Sequence, residues 1–325
     1  MDMNTAERYR GAMLGLAVGD ALGTTLEFSP PGSFAPIDDI IGDGPFRLAP
    51  GAWTDDTSMA LCLAESLIEC GGFDAADQMR RYVRWYREGH MSSTGGCFDI
   101  GDTTRAALQR FEDTGDPWCG SKDPRTAGNG SIMRLAPVVL AFATLPREAL
   151  AMAARSSQTT HGARDAVDGC RYLAALLLGA LGGVSKEDLL GGVFEPLADL
   201  WALEPLAPAI TEVAAGSFRR RDPPAIRGTG HVVRSLEAAL WAFHHGRSFR
   251  DGALLAVNLG EDADTTGAIY GQLAGAFYGE TGIPGAWRSK VVARATITEI
   301  AERLFELAQQ TPWRKSQNGV LALRG

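Results

Sequence analysis

The amino-acid sequence predicts an all-α protein, built as a bundle of many helices joined by long loops. Apolar residues recur with the period of a helix along most of the chain, and no segment shows the convincing apolar–polar alternation of a half-buried strand. A clear case is Met79, Val83 and Tyr86, which follow the i, i+4, i+7 spacing. Similar stripes occupy 56–70, 102–112, 132–142, 164–181, 233–245 and the segment with Ile297, Ile300, Leu304 and Leu307.

Three segments interrupt the helical pattern and are too long to be simple connections: 28–53, 90–101 and 114–130. Loops of this length in a compact protein usually carry function. No low-complexity linker divides the chain, so we expect a single domain over 1–325. We expect about the last dozen residues to be loosely attached.

The composition and the net charge of the chain limit the kinds of molecule that we expect it to bind. The 325 residues are 45% hydrophobic and 22% charged, as in ordinary globular proteins, and the net charge is −8. Such a charge is poorly suited to a broad electrostatic contact with nucleic acid or an anionic membrane. The five cysteines include no Cys-x-x-Cys pair, and the first ten residues are polar, unlike a signal peptide. We expect a cytoplasmic protein that contacts no membrane, with nucleic acid a partner only as a modified substrate.

Two segments carry glycine at every fourth position. The two stripes are Gly11, Gly15, Gly19 and Gly23, and Gly267, Gly271, Gly275 and Gly279. Each glycine inside a helix costs about 0.5–1 kcal/mol relative to alanine. Four on one face therefore indicate a compensating gain, which we interpret as a close approach of two helix backbones. The second stripe directly follows an acidic motif at 261–266, and we expect this packing to bring the acidic motifs of the chain together.

The two acidic motifs stand immediately before predicted helices, at residues 53–57 (WTDDT) and 261–266 (EDADTT). Either motif alone also suits a helix N-terminus, because Ser, Thr and Asp cap helices and acidic residues complement the helix dipole. Each offers carboxylates and a neighbouring hydroxyl, and converging carboxylates repel one another unless a cation lies between them. Oxygen ligands of this kind suit Mg²⁺, Mn²⁺ or Ca²⁺ rather than zinc.

A glycine-rich segment, Gly128-Asn129-Gly130-Ser131, directly precedes the apolar stripe 132–142 and is predicted to open that helix. A glycine-rich loop at a helix N-terminus can bind an anion, because its free N–H groups and the helix dipole point at the ligand. The same segment is also compatible with an ordinary turn.

Six motifs, in order, resemble the ADP-ribosylglycohydrolase family, and within it the bacterial dinitrogenase-reductase-activating type. They are RGAMLGLAVGDALGTTLE, WTDDTSMAL, CFDIGDTTRAAL, GNGSIMRLAPV, the segment around His161 and NLGEDADTTGAIYGQLAGAFYG. The resemblance covers residues 9–287. It implies an orthogonal all-α bundle with a dinuclear centre of two divalent cations, Mg²⁺ or Mn²⁺. It also implies a hydrolase that releases ADP-ribose from a modified side chain.

The resemblance further implies roles for individual residues. The metal ligands would be Thr54, Asp55, Asp56, Asp262, Asp264 and Thr265. Glu27 and Asp99 would be catalytic, sharing the roles of general acid and base. ADP-ribose would be bound by Phe98, Ile100, Gly101, Gly128, Asn129, Gly130, Ser131 and His161. His231 stands where the family pattern often has tyrosine, so substrate choice or affinity could differ here.

Asp99, in the CFDIG motif, resembles the arginine-directed members of the family, in which an acidic residue at this position can meet a cationic guanidinium group; the resemblance therefore favours an arginine linkage. The predicted activity is therefore hydrolysis of the N-glycosidic bond of mono-ADP-ribosylated arginine, with ADP-ribose and the modified protein as partners. ADP-ribosyl-serine, ADP-ribose esters and ADP-ribosylated nucleic-acid bases are alternative substrates. A catalytically silent ADP-ribose-binding or structural protein is a further alternative, but it should show substitutions among the metal ligands, and none is present.

Overall fold

The computed structural model describes residues 4–191 and 197–310, and over these residues the prediction of an all-α protein is confirmed. They form α-helices, short 3₁₀ turns and isolated β-bridges, with no strand. The helices are α1 (Thr5–Gly23), α2 (Asp55–Cys70), α3 (Ala75–Glu88), α4 (Asp102–Thr114), α5 (Ala136–Ala141), α6 (Pro146–Gln158), α7 (Arg164–Leu181), α8 (Lys186–Leu190), α9 (Ala198–Leu203), α10 (Pro208–Ala214), α11 (Val232–His245), α12 (Phe249–Val257), α13 (Ala263–Gly282), α14 (Gly285–Lys290) and α15 (Arg294–Gln310). The predicted loose C-terminal dozen lies outside the described residues. No helix of the described part is long and apolar enough to cross a membrane.

Local signals set the ends of the helices around the predicted loops. Asp74 caps α3, where its side chain accepts a hydrogen bond from Asp77 N at 2.8 Å. Helices α2, α3 and α4 each end at a glycine with positive φ, namely Gly71, Gly89 and Gly115. Glycine adopts this conformation without the steric cost of a Cβ atom. The chain therefore leaves these helices abruptly, and the predicted loops 28–53, 90–101 and 114–130 are present.

The predicted helix over 132–142 was wrong at its beginning. Residues 131–134 form a turn, and α5 begins only at Ala136. Pro137 explains the difference, because its ring would clash with the carbonyl of Met133 in a continuous helix and it has no N–H to donate. The glycine-rich segment therefore leads into a separate turn, and helix α5, with six residues, begins beyond it.

The close approach of α1 and α13 is the most extensive contact between two helices among the described elements. A Cβ atom on Gly11, Gly15 or Gly19 would lie 2.2, 2.2 and 1.9 Å from the carbonyl oxygens of Gly275, Gly271 and Gly267, respectively. As the residue numbers increase along α1, the residue numbers of the glycines that they face in α13 decrease, so the two helices run antiparallel. The end of α1 thereby lies beside the beginning of α13: a Cβ atom on Gly23 would be 2.4 Å from Asp264 Cα. The predicted interpretation of the stripes is confirmed.

The remaining core surrounds this pair. Helix α15 packs on α1, α11 and α12 pack on α13, and α7 contacts both helices of the pair. The apolar side chains of α1, including Leu14, Leu16 and Leu22, are fully buried. A helix enclosed on all sides cannot shift without disturbing several neighbours, so the ends of α1 and α13 are fixed points for the loops that follow them.

Replacing Gly15 with alanine should destabilise the protein, because the added methyl group would require the α1 and α13 backbones to separate. We expect Gly15→Ala to lower the free energy of unfolding by about 1–3 kcal/mol in urea denaturation. Gly285→Ala is the matched control: it also places alanine in a helix, but the nearest atom is the flexible end of Arg288 at 3.9 Å. Equal stability of the two variants would contradict the packing account.

Candidate active site

A cavity of about 400 Å³ opens where the end of α1 and the beginnings of α2, α4 and α13 come together. It is also bordered by residues 128–134, the glycine-rich segment and the turn that follows it, which we call the glycine-rich turn. Most of the residues implied by the family resemblance line this cavity. They are Glu27, Asp55, Asp99, Ile100, Gly101, Gly128, Asn129, Gly130, His161, Asp262, Asp264 and Thr265. Segments more than 200 residues apart in the sequence therefore contribute to one cavity.

Asp20 holds the first acidic motif from α1. Its fully buried carboxylate accepts hydrogen bonds from Thr54 N (2.9 Å) and Thr54 Oγ1 (3.0 Å) on one oxygen. The other oxygen accepts from Thr57 N (3.0 Å) and Thr57 Oγ1 (2.6 Å). Asp20 thus satisfies amide groups at the beginning of α2 that have no acceptor inside the helix. The Thr54 hydroxyl also lies 3.1 Å from Asp264 Oδ2 and 3.3 Å from Asp56 Oδ2, so it joins carboxyl groups of three helices.

The second acidic motif is held by Glu27 and by the glycine-rich turn. Glu27 Oε2 accepts a hydrogen bond from Ala263 N at 3.0 Å. Asn129 Nδ2 donates to Asp262 Oδ2 at 2.9 Å. Glu27, Asp262 and Asp264 each offer a carboxylate oxygen, and these oxygens lie within 4.8 Å of one another. The three carboxyl groups are therefore close enough to share one ligand.

The pKa values of the carboxyl groups around Asp264 are raised, first by burial and then by the charge of Asp264 itself. The affected groups are Asp20, Glu27, Asp55, Asp56, Asp99 and Asp262. The pKa of Asp262 rises to about 7 and that of Asp99 to about 11. Asp264 therefore lies at the centre of a strongly unfavourable concentration of negative charge.

The described residues fit divalent cations. Asp56 Oδ1 is buried and has no hydrogen-bond partner among them. A buried acceptor without a hydrogen-bond partner destabilises the folded protein unless a positively charged group or ion lies beside it. The available ligands are carboxylate and hydroxyl oxygens, which is the donor set of Mg²⁺ and Mn²⁺. A cation would also offset the repulsion that raises the neighbouring pKa values.

Two buried side chains fix the glycine-rich turn. Gln272 of α13 accepts from Ala136 N (2.8 Å) and donates to the carbonyl of Ile132 (2.9 Å). Arg134 donates to the carbonyl of Gly130 (2.5 Å) and to Thr160 Oγ1 (2.7 Å). The N–H groups of Gly130 and Ser131 donate to no acceptor within the described residues. These two N–H groups are therefore free to donate to an anion, although they do not lie at the N-terminus of a helix.

His161 approaches this turn closely. A Cβ atom on Gly130 would lie 2.9 Å from His161 Cε1, so a larger residue there would displace the ring. Burial, and after it the charge of Arg134, lowers the pKa of His161 to about 3. Its Nδ1 lies 2.9 Å from Thr160 Oγ1. His161 is thus a neutral hydrogen-bonding group near pH 7 rather than a source of protons.

A few of the implied site residues do not line the cavity. Thr54 and Asp56 are buried beneath it. The Ser131 hydroxyl points to Ser157 Oγ at 2.8 Å, and the ring of Phe98 packs against another aromatic side chain. His231, the departure from the family pattern, is the N-cap of α11, where its Nδ1 accepts from Val233 N at 3.3 Å.

Sequence reasoning assigned no role in the site to Asp20, nor to the lining residues Phe28 and Gly230. For Asp20 a signal was present, because one carboxylate inside an apolar, glycine-rich helix needs buried partners. Phe28 carried no such signal in the sequence; in the structure, Phe28 and Asp99 both line the cavity and have φ near +58°. Non-glycine residues rarely adopt this conformation, and they concentrate at functional sites.

The fold and the site define an all-α protein with a buried acidic cluster beside a glycine-rich turn that, within the described residues, has two free N–H groups. The profile of the ADP-ribosylglycohydrolase family matches residues 1–313. The chain belongs to the ADP-ribosylglycohydrolase family, as its motifs predicted.

Individual relatives cover almost the whole chain. The ADP-ribosylarginine hydrolase Tri1 of Pseudomonas putida is 46% identical over 308 residues, which are 94% of this chain and 79% of that protein. The ADP-ribosyl-dinitrogen reductase glycohydrolase of Rhodospirillum rubrum is 31% identical over 294 residues, 88% of this chain and 90% of that protein. A solved structure of an ADP-ribosylglycohydrolase-related protein complex matches with a TM-score of 0.83 and 48% identity, covering 94% of this chain and 99% of the solved one.

Replacing Asp20 with alanine should weaken cation binding as well as stability, because it leaves the Thr54 and Thr57 amides buried without an acceptor. Each lost acceptor costs about 1–3 kcal/mol. We expect Asp20→Ala to lower the melting temperature and to bind Mn²⁺ more weakly in titration calorimetry. Asp74→Ala is the matched control, since it also removes a helix cap but lies on α3. It should cost about 1 kcal/mol of stability and leave Mn²⁺ binding unchanged. Wild-type Mn²⁺ affinity in Asp20→Ala would refute the positioning role.

Proposed function

We propose that this protein hydrolyses the N-glycosidic bond between ADP-ribose and an arginine side chain of a mono-ADP-ribosylated protein. The observation that carries the proposal is the single cavity in which Glu27, Asp99 and carboxyl groups of both acidic motifs face a glycine-rich turn. The 46% identity to a protein named ADP-ribosylarginine hydrolase supports the arginine linkage. We assign this activity to one domain over 1–325.

The proposed cofactors are two divalent cations, Mg²⁺ or Mn²⁺. Their proposed ligands are Thr54, Asp55, Asp56, Asp262, Asp264 and Thr265. When bound, such cations supply positive charge that orients ribose hydroxyls and water. The unpartnered Asp56 Oδ1 and the raised pKa values around Asp264 support this assignment.

The glycine-rich turn and residues near it are assigned to ADP-ribose. The pyrophosphate would accept hydrogen bonds from the N–H groups of Gly130 and Ser131, which are the amides left available in the turn. Gly128 and Asn129 donate instead to the carbonyls of Thr126 and Gly230, so they would shape the turn. The other proposed ADP-ribose-binding residues are Phe98, Ile100, Gly101 and His161. Of these, Phe98 does not itself line the cavity, and it would act through the residues that do.

Glu27 and Asp99 are the proposed proton-transfer groups. Both line the cavity, and burial, followed by the charge of Asp264, raises the pKa of each carboxyl group. Departure of the guanidinium group leaves positive charge on the ribose, which the surrounding carboxylates stabilise. One of the two carboxyl groups would protonate the leaving nitrogen, and one would accept a proton from the attacking water.

The proposed function predicts which modified side chains are substrates. We expect release of ADP-ribose from an arginine-linked substrate in the presence of Mg²⁺ or Mn²⁺, and no release after treatment with a chelator. Serine-linked, ester-linked and base-linked ADP-ribose should be released slowly or not at all in the same chromatographic assay. Release from serine with none from arginine would overturn the proposed linkage.

Variants test the assigned residues within that assay. Glu27→Gln should lower kcat by about 10²–10⁴-fold, the usual contribution of a general acid or base. Glu187→Gln, an exposed carboxyl group on α8, is the control and should behave as wild type. Full activity of Asp55→Ala in metal-free buffer would refute the assigned cation site.

A further inference from the structure

Three phenylalanine rings form a continuous row at one side of the catalytic cavity, which we call the aromatic wall: Phe28, Phe46 and Phe98. The rings of Phe28 and Phe46 are 6.1 Å apart, edge to face, and those of Phe46 and Phe98 are 5.4 Å apart. Only Phe28 lines the cavity, so Phe46 and Phe98 stand behind it. The three residues come from two loops, which the wall holds together.

Phe28 is an unusual residue for a structural contact. Its side chain is 65% exposed, although apolar rings of this size are ordinarily buried. Its φ is +58°, a conformation that is strained for any residue with a bulky side chain. Backbone hydrogen bonds with Glu261 hold it there: Phe28 N donates to Glu261 O at 2.6 Å, and Glu261 N donates to Ser29 O at 2.8 Å. The fold thus maintains an exposed ring at a strained position beside the cavity.

The wall flanks both proposed proton-transfer groups. Phe28 directly follows Glu27, and Phe98 directly precedes Asp99. Glu27, Phe28 and Asp99 all line the cavity, so a side chain leaving it between the two carboxyl groups passes an aromatic face and carboxyl oxygens together. This surrounding suits a cation with an aliphatic stem, since a guanidinium group stacks on aromatic rings and pairs with carboxylates. A serine side chain is uncharged and too short to stack on the Phe28 ring.

We propose that the aromatic wall binds the arginine side chain of the modified protein, with Phe28 in contact with the guanidinium group and its stem. Phe46 is a positioning residue that fixes the Phe28 ring, and Phe98, assigned above to ADP-ribose, supports Phe46 from the other loop. The inference rests on the proposed function and names the element that selects its arginine linkage. The ring contacts the leaving group only, so it affects the affinity for the modified peptide and leaves the affinity for free ADP-ribose unchanged.

Replacing the Phe28 ring with leucine tests the inference, since Phe28→Leu keeps apolar bulk and the same backbone demand but removes the aromatic face. KM for an ADP-ribosyl-arginine peptide should rise about 3–10-fold with little change in kcat, the range of a partly exposed cation–π contact. Phe28→Tyr should restore the wild-type KM. Ile41→Ala, an exposed apolar residue on the same loop, is the control and should leave both constants unchanged.

A second measurement separates leaving-group recognition from a general disturbance of the site. Calorimetric titration of Phe28→Leu with free ADP-ribose should give the wild-type Kd. A wild-type KM in Phe28→Leu, or an equal loss of affinity for free ADP-ribose, would overturn the inference. The wild-type protein is assayed first: if it releases nothing from the arginine peptide, the proposed function fails before any variant is compared, and the inference falls with it.

Discussion

The close antiparallel contact between α1 and α13 is the constraint on which the site depends. With glycine at the contact positions, the two backbones lie nearer than side chains would allow, since a Cβ atom on Gly15 would be 2.2 Å from Gly271 O. The antiparallel direction places the end of α1 beside the beginning of α13. Glu27 thereby meets residues 262–264, and Asp20, near the end of α1, fixes the beginning of α2. Both acidic motifs are positioned by one helix pair.

This positioning concentrates negative charge in a buried place. Asp264 is the largest charge contribution, after burial, to the raised pKa values of Asp55, Asp56 and Asp99. Burial alone would favour the neutral form of each carboxyl group, and mutual repulsion adds to that effect. Binding of a cation among these carboxyl groups would therefore increase the stability of the folded protein. In the same arrangement Gln272 and Arg134 hold the glycine-rich turn, to which we assign the anionic part of the ligand.

Local sequence patterns predicted the helices and the acidic motifs well, because the helical period reports the buried face directly. The beginning of α5 was missed although Pro137 was visible, since the apolar pattern continues through it. The bonds from Asp20 to Thr54 and Thr57 join residues 34 and 37 positions apart, and no local rule connects them. Phe46 lies in a long loop without periodicity, so its packing between Phe28 and Phe98 depends on the tertiary fold. The glycine stripes predicted that the two motifs approach each other, but only the ordered family resemblance assigned them to the same cations.

The central claim is that the α1–α13 contact assembles a cation site whose charge is centred on Asp264. Thermal unfolding of wild type and Asp264→Asn, each without cation and with Mn²⁺, tests it most directly, with the exposed Asp113→Asn as control. Without cation the variant should melt above wild type, because a buried charge is removed. Mn²⁺ at 100 times its Kd should stabilise wild type and the control by about 2.7 kcal/mol and leave Asp264→Asn unchanged. Equal Mn²⁺ stabilisation of all three proteins would contradict the account.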